Sequence, residues 1–271
     1  MKPLIKFAVL LLLCPLLANA QMRFSTGGVR DYIPNGCSGP DLPATISEVN
    51  NFQAWYNLGG FQSFSQWQNT NVWGSDFRDG ANSDMEAGGG SDMADVYLFA
   101  GHGSCQNPPN ATSPDFVLAC SPNGQPNTTT IGTATRWGNR GGRLKFAFID
   151  ASCPMDLVSI ANQWFPVFQG LHLAVGHSGT STSDALDSDV RGSQLASRTA
   201  GIPIIFWPEQ SVGDAWMAVG IEDIQSGCCA VAIAAGETEA DAINRRENER
   251  VKSGWGNPTP NWFAWKWTCL N

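Results

Sequence analysis

Two stretches of the chain, 96–100 and 146–149, are apolar with no polar alternation, the pattern of strands covered on both faces. A third such run, 171–176, and a fourth, 230–235, come later in the chain. Elsewhere the apolar positions recur at helical spacing. Ile46, Val49, Phe52 and Tyr56 predict a helix over 43–57, with Thr45 or Ser47 as N-cap and Gly59-Gly60 as its stop. Pro154 suits a first helical position, and 155–165 continues with helical spacing and Asp156 near the positive end of the dipole. Residues 184–200 and 212–221 read as further helices, and Thr238-Glu239-Ala240-Asp241 resembles a capping box opening a last one that ends near Val251. The stretches 79–92 and 104–142, rich in Gly, Asp, Ser, Pro and Asn, read as loop; 61–77 is an aromatic stretch carrying Trp67 and Trp73, and the tail 262–269 fits neither period cleanly. Alternation of strand and helix from 94 to 251 predicts an α/β fold, a mostly parallel sheet with helices on both faces.

The first 20 residues carry Lys2 and Lys6, an apolar run over 7–17, and then Ala18-Asn19-Ala20, which together predict a secretory signal peptide cut after Ala20. The protein is therefore expected to be secreted or periplasmic. Leu13 is bulky where a lipoprotein box needs a small residue, which argues against lipidation at Cys14. Residues 21–271 read as one domain: an N-terminal helix and aromatic loop region over 21–93, a sheet core over 94–251 and a Trp-rich tail over 252–271. Removal of Lys2 and Lys6 takes the formal charge from −8 to −10. With acidic residues outnumbering basic ones and no basic run, nucleic acid and anionic membrane surfaces are poor partners, and no nucleic acid is expected. No later segment approaches the roughly 18 consecutive apolar residues of a spanning helix, so no membrane insertion is expected.

Eight cysteines become seven once Cys14 is removed: Cys37, Cys105, Cys120, Cys153, Cys228, Cys229 and Cys269. Six can form three disulfides in an oxidising compartment, leaving one free thiol, expected at Cys153. The rival reading is that Cys153 is a buried, inert cysteine. Cys105 with Cys120 would close a short loop, and the adjacent Cys228 and Cys229 are expected to bond different partners, with Cys269 and Cys37 available. The strand over 96–100 leads into Gly101-His102-Gly103, and that over 146–149 into Asp150-Ala151-Ser152-Cys153. Side chains at the carboxyl ends of neighbouring parallel strands converge on one crevice, so a thiol and an imidazole can meet there. Gly101 and Gly103 leave room for substrate backbone, the amides of Gly103 and Cys153 are candidate oxyanion donors, and a helix starting directly after Cys153 would favour the thiolate.

These two blocks resemble those of the caspase, legumain and gingipain superfamily of cysteine peptidases, in which one strand ends in His-Gly and the next in a small residue followed by the nucleophile. The separation of 51 residues between His102 and Cys153 matches the roughly 50 known for caspases. The resemblance covers 94–155. It implies a three-layer αβα sandwich, a caspase-like fold, with His102 as general base or acid, Cys153 as nucleophile and a peptide or protein as substrate. The position two before the nucleophile, which helps line the primary specificity pocket in several of these families, is Ala151, while the acidic Asp150 sits one place further back and faces the other side of a strand. Substrate contacts then fall to Ala151, Ser152 and the loop through His177, Ser178 and Asp184. The chain also resembles poorly characterised secreted bacterial proteins with the same His-Gly and Cys layout and an Asp-Ala-Trp helix like Asp214-Ala215-Trp216; that likeness implies no proteolysis.

Other signals compete. Gly176-His177-Ser178-Gly179-Thr180 nearly spells a nucleophile elbow, with Thr180 where the last Gly belongs, and suggests a Ser178 esterase. His172 and His177, five apart, suit neither a strand nor a helix face for shared coordination, so no metal and no cofactor are expected. The oxygens of residues 79–84 would at most hold a structural calcium, and a solvated turn is the stronger reading. Trp262, Trp265 and Trp267, from a total of eleven tryptophans, are a candidate sugar-stacking platform. Asn110 and Asn127 head glycosylation sequons. Three functions are compatible with these signals: a secreted cysteine hydrolase, expected to be a peptidase working through a Cys-His dyad and an acyl-enzyme; a non-catalytic secreted binding protein on the same fold; and the Ser178 esterase. Cys153 locked in a disulfide, with the free thiol elsewhere, favours the second.

Overall fold

A computed structural model describes residues 21–35, 39–79, 88–104, 115–117, 128–132, 134–138, 141–157, 160–181, 188–201, 208–221 and 228–269. Its main sheet has seven strands. Five run parallel, β2 (Gln62–Gln68), β1 (Arg23–Gly28), β3 (Val96–Ala100), β7 (Phe146–Asp150) and β8 (Leu173–Ser178), in that spatial order. Next to β8 lie β9 (Cys229–Gly236) and then β10 (Trp262–Cys269), each antiparallel to its neighbour. The fold is α/β, and its sheet is mixed where a wholly parallel core would have placed β9 alongside β8 in the same sense. Three short strands, β4 (His102–Ser104), β5 (Asp115–Val117) and β6 (Thr128–Thr130), form a separate antiparallel sheet. Two of its strands, β5 and β6, lie inside the stretch 104–142 read from sequence as loop.

Alternation along each central strand divides the core in two. Val96, Leu98, Phe146, Phe148, Leu173 and Val175 face helices α1 (Thr45–Leu58), α3 (Ser188–Ala200) and α4 (Val212–Val219). The opposite face, with Tyr97, Phe99, Ile149 and Val231, is covered by the short α2 (Ile160–Trp164), the 3-10 turn after it and loop aromatics such as Trp137. Since both faces are dry, these strands carry no polar alternation. A fifth helix, α5 (Glu239–Asn248), starts at Thr238, whose side chain accepts from the Asp241 amide. The helical layers are unequal, because residues after Pro154 make turns up to 157 where a helix was expected at once. The Trp164 indole donates to the Pro154 carbonyl at 2.7 Å, a bond that holds this turn to α2.

The tail is an edge strand fixed by the Cys229–Cys269 disulfide. Its period of two puts Phe263 and Trp265 inward, Phe263 stacked on Phe165 at 3.9 Å, and Trp262 on the other face. The three tail tryptophans therefore do not form one sugar-stacking platform. Cys37, Cys105, Cys120, Asn110, Asn127 and Asp184 lie outside the described residues. Among the described residues no helix is long and apolar enough to cross a membrane, and no cluster of three His, Cys, Asp or Glu side chains is placed to hold a metal ion. Asp79, the first residue of the calcium candidate, is paired with Arg136 at 2.5 Å.

Trp216 in α4 is buried, donates to the Gly176 carbonyl at 2.9 Å and lies against His177. Trp216→Ala is expected to lower unfolding free energy by about 3–5 kcal/mol. Trp262→Ala on the exposed edge should stay within about 0.5 kcal/mol of the parent. Urea titrations followed by far-UV circular dichroism measure both.

Candidate functional site

β3 and β7 pair in parallel with Ala100 opposite Asp150, and the Gly101 amide donates to the Asp150 carbonyl at 3.1 Å. Beyond that point the two chains stay in touch. A Cβ at position 103 would collide with the Ser152 carbonyl, so only glycine lets β4 leave β3 at this spot. Strand pairing thus brings the backbones of 101–103 and 150–152 together, as the sequence suggested. The His102 amide donates to the Tyr32 hydroxyl at 2.8 Å, the two rings lie 4.4 Å apart, and His102 Nε2 lies 2.8 Å from the Pro40 carbonyl oxygen. A carbonyl only accepts, so Nε2 is the donor in this contact.

Cys153 has φ of 62°, one of two non-glycine residues with positive φ among those described. A left-handed cysteine costs of order 1–3 kcal/mol and recurs where strain serves a site. Its amide donates to the Gly179 carbonyl at 2.9 Å, and the Met155 amide to the His177 carbonyl at 3.0 Å. The turn is thereby sewn to the end of β8, and the Cys153 amide is already engaged where an oxyanion donor was expected. The Cys153 sulfur is disulfide-bonded to a half-cystine outside the described residues. Among the described residues the free thiol is instead Cys228, buried just before β9, with burial pushing its pKa up to about 11. Both observations correct the expectation of a free Cys153.

The other predicted contacts redistribute. Ala151 is fully buried in the core and lines no cleft. Ser152 Oγ exchanges hydrogen bonds with the Ser181 backbone at 3.3 and 3.2 Å. Ser178 is the last residue of β8, 3.4 Å from the Leu157 amide, and the positive φ of the segment belongs to Gly179. The strained elbow that a Ser178 esterase needs is therefore built at Cys153 and not at Ser178. His172 and His177 sit towards opposite ends of β8, which keeps them from sharing a ligand.

His177 is not at a rim. It is fully buried, with Nε2 3.1 Å from Asp150 Oδ1, while the other Asp150 oxygen accepts from Arg191 Nη1 of α3 at 2.5 Å. Glu48 of α1, also buried, hydrogen-bonds to the same carboxylate. Burial opposes charge on Asp150, but the Arg191 guanidinium and then His177 outweigh it and hold the carboxyl well below the usual range. Burial and the Asp150 charge together push Glu48 well above it, so Glu48 keeps its proton. Burial lowers His177, leaving a neutral ring whose Nε2–H donates to Asp150. This four-residue cluster was not foreseen; the one sequence sign of it is an acidic residue ending an otherwise apolar strand.

The profile of a domain of unknown function, DUF6345, matches residues 27–267. The chain belongs to the DUF6345 family. No curated protein matches it. The matched span contains both strand ends, the buried cluster and α4, so every feature of this site is part of the DUF6345 domain.

Loss of one partner from a buried charge pair leaves the other uncompensated, and Asp150→Asn in this DUF6345 domain is expected to cost about 3–5 kcal/mol in urea denaturation. Glu48 titrates the other way. Its folded pKa lies above its unfolded value of about 4.5, so stability falls as pH rises past that value. Glu48→Gln removes this loss, and its stability relative to the parent should rise between pH 4 and pH 8.

Proposed function

We propose that this DUF6345 chain is a secreted, non-catalytic binding protein on a peptidase-like α/β sandwich. One observation carries the reading: the sulfur that would attack is a half-cystine. A cysteine attacks as a thiolate, and a sulfur in a disulfide has no lone thiolate to offer. The surroundings support the same reading. The Cys153 amide is bonded to Gly179, His102 Nε2 to Pro40, and the residue expected to shape a specificity pocket is in the core. The glycine-guarded meeting of 103 with 152 then serves to join the small sheet to the large one.

A second reading, a cysteine hydrolase or peptidase held latent by oxidation, has one specific observation in its favour. The strained turn at Cys153 beside the His102 strand is what an exposed nucleophile would require, and a structural cystine does not need it. Reduction by a dithiol would return the sulfur to a thiol, with the His102 imidazole on the neighbouring strand as its candidate base.

Turnover of a fluorogenic peptide library, before and after treatment with dithiothreitol, separates the two. No turnover in either state is expected, with peptide mapping after non-reducing alkylation in denaturant placing the label at Cys228 and not at Cys153. Turnover that appears on reduction, and that Cys153→Ala and His102→Ala each abolish with the circular dichroism spectrum unchanged, would overturn the binding reading in favour of the latent enzyme.

A further inference from the structure

The opposite end of the sheet holds a cavity of about 570 Å³, within the usual range for small-molecule sites. Its floor is the amino-terminal end of the parallel strands, where Lys145 precedes β7, Phe146 starts it and His172 precedes β8. Phe61 and Trp255 complete its apolar walls, and the segment after α5 covers it. It shares no lining residue with the His102 and Cys153 strand ends, so binding in this cavity does not depend on whether those strand ends are catalytic.

The covering segment is fastened from beneath. His172 Nδ1 lies 2.5 Å from Glu249 Oε1 and its Nε2 3.2 Å from Asn257 Oδ1. Arg245 bonds both Glu249 oxygens, donates to the Gly256 carbonyl at 3.1 Å and lies 5.2 Å from the Trp255 ring centre. Every charge in this network has a partner, so the roof is fixed and the Glu249 carboxylate is neutralised in place.

Charge at the cavity is unusual for this chain. After residue 20 an acidic protein retains only three lysines, Lys145, Lys252 and Lys266. Lys266 is paired with Asp214 and Glu247. The other two line this one cavity. Lys252 donates to the carbonyls of Gly59 and Gly201 at 2.9 and 3.4 Å and lies 5.1 Å from the Phe61 ring centre, a fixed cation at the rim. Lys145, half-buried, has no hydrogen-bond or ion-pair partner for its ammonium among the described residues. An ammonium without a protein partner, set beside apolar walls, can take a negative charge through a charge-assisted hydrogen bond.

We propose that this cavity binds a small organic carboxylate, its head on the Lys145 ammonium and its apolar or aromatic body between Phe61, Phe146 and Trp255. A single unpaired ammonium, without the forked donors of an arginine, suits a monoanion better than a phosphate, whose several oxygens call for several donors. The aromatic walls supply contact area for the body, and the paired His172, Glu249 and Arg245 keep the cavity open without competing for the head group.

Isothermal titration of the purified protein with decanoate and with 2-naphthoate tests this, using 1-decanol as the uncharged comparison. At least one of the two carboxylates should bind saturably. Lys145→Met should weaken that binding at least tenfold, Lys145→Arg should restore most of it, and His102→Ala should leave it unchanged. Thermal melts of each variant verify folding. Absence of saturable binding by both carboxylates, equal binding to Lys145→Met, or decanol binding as tightly as decanoate would each overturn the proposal.

Discussion

A carboxylate with its charge retained inside the protein fixes the geometry around it. Asp150 ends β7, and its two oxygens are held by His177 from β8 and Arg191 from α3, with protonated Glu48 of α1 against the same group. Removing an ion from water carries a penalty of several kcal/mol, which is offset only if every partner stays in place. Four elements that share no local sequence are thereby locked to one point. The chain then enters the 151–155 turn from a fixed direction, and the bonds from Cys153 to Gly179 and from Met155 to His177 carry that constraint across to β8.

That clamp explains why this end of the sheet is well ordered chemically yet poor in available groups. In open α/β sheets the carboxyl ends of the strands are where ligands are expected, because side chains and loop amides converge there. Here the convergence is satisfied internally: imidazole to carbonyl at His102, amide to carbonyl at Cys153, sulfur to sulfur, carboxylate to guanidinium. The backbone strain at Cys153 persists within this web because each neighbour over-determines it.

The parts of the fold legible in the sequence are those where burial on both faces writes a continuous apolar run, β3, β7, β8 and β9, together with α1, α3, α4 and α5, whose apolar positions or caps keep helical spacing. β1 escaped because Ser25 and Thr26 are buried polar residues in a strand, Thr26 meeting the Gln53 side chain of α1. β2 escaped because it is an edge strand of sequence QSFSQWQ, mostly in contact with solvent. β10 escaped because large aromatics occupy both of its faces. At the site, the neighbouring strand ends were readable from topology, but which cysteine stays reduced was not: pairing is decided by proximity in space, and adjacent Cys228 and Cys229 have opposite fates. His177 was misplaced by two residues of strand. β8 runs on to Ser178, and that extension carries the ring from the rim into the interior.

The two ends of the sheet therefore differ in what they leave unsatisfied. At the carboxyl end the charged groups drawn from distant elements are matched to one another, although the buried His177 Nδ1 makes no hydrogen bond among the described residues. At the amino end the matching stops one group short, at Lys145, although an acidic chain with few lysines has an excess of carboxylates. Asp95, whose backbone carbonyl accepts from the Lys145 amide, has its carboxylate taken up by Arg143 and the Arg23 amide, and Glu249 is held by Arg245 and His172. Each nearby carboxylate is thus committed elsewhere by geometry, and the cavity retains a positive point inside an otherwise negative molecule. A local charge of that sign favours an anion at this point of the chain, in keeping with the carboxylate proposed for the cavity.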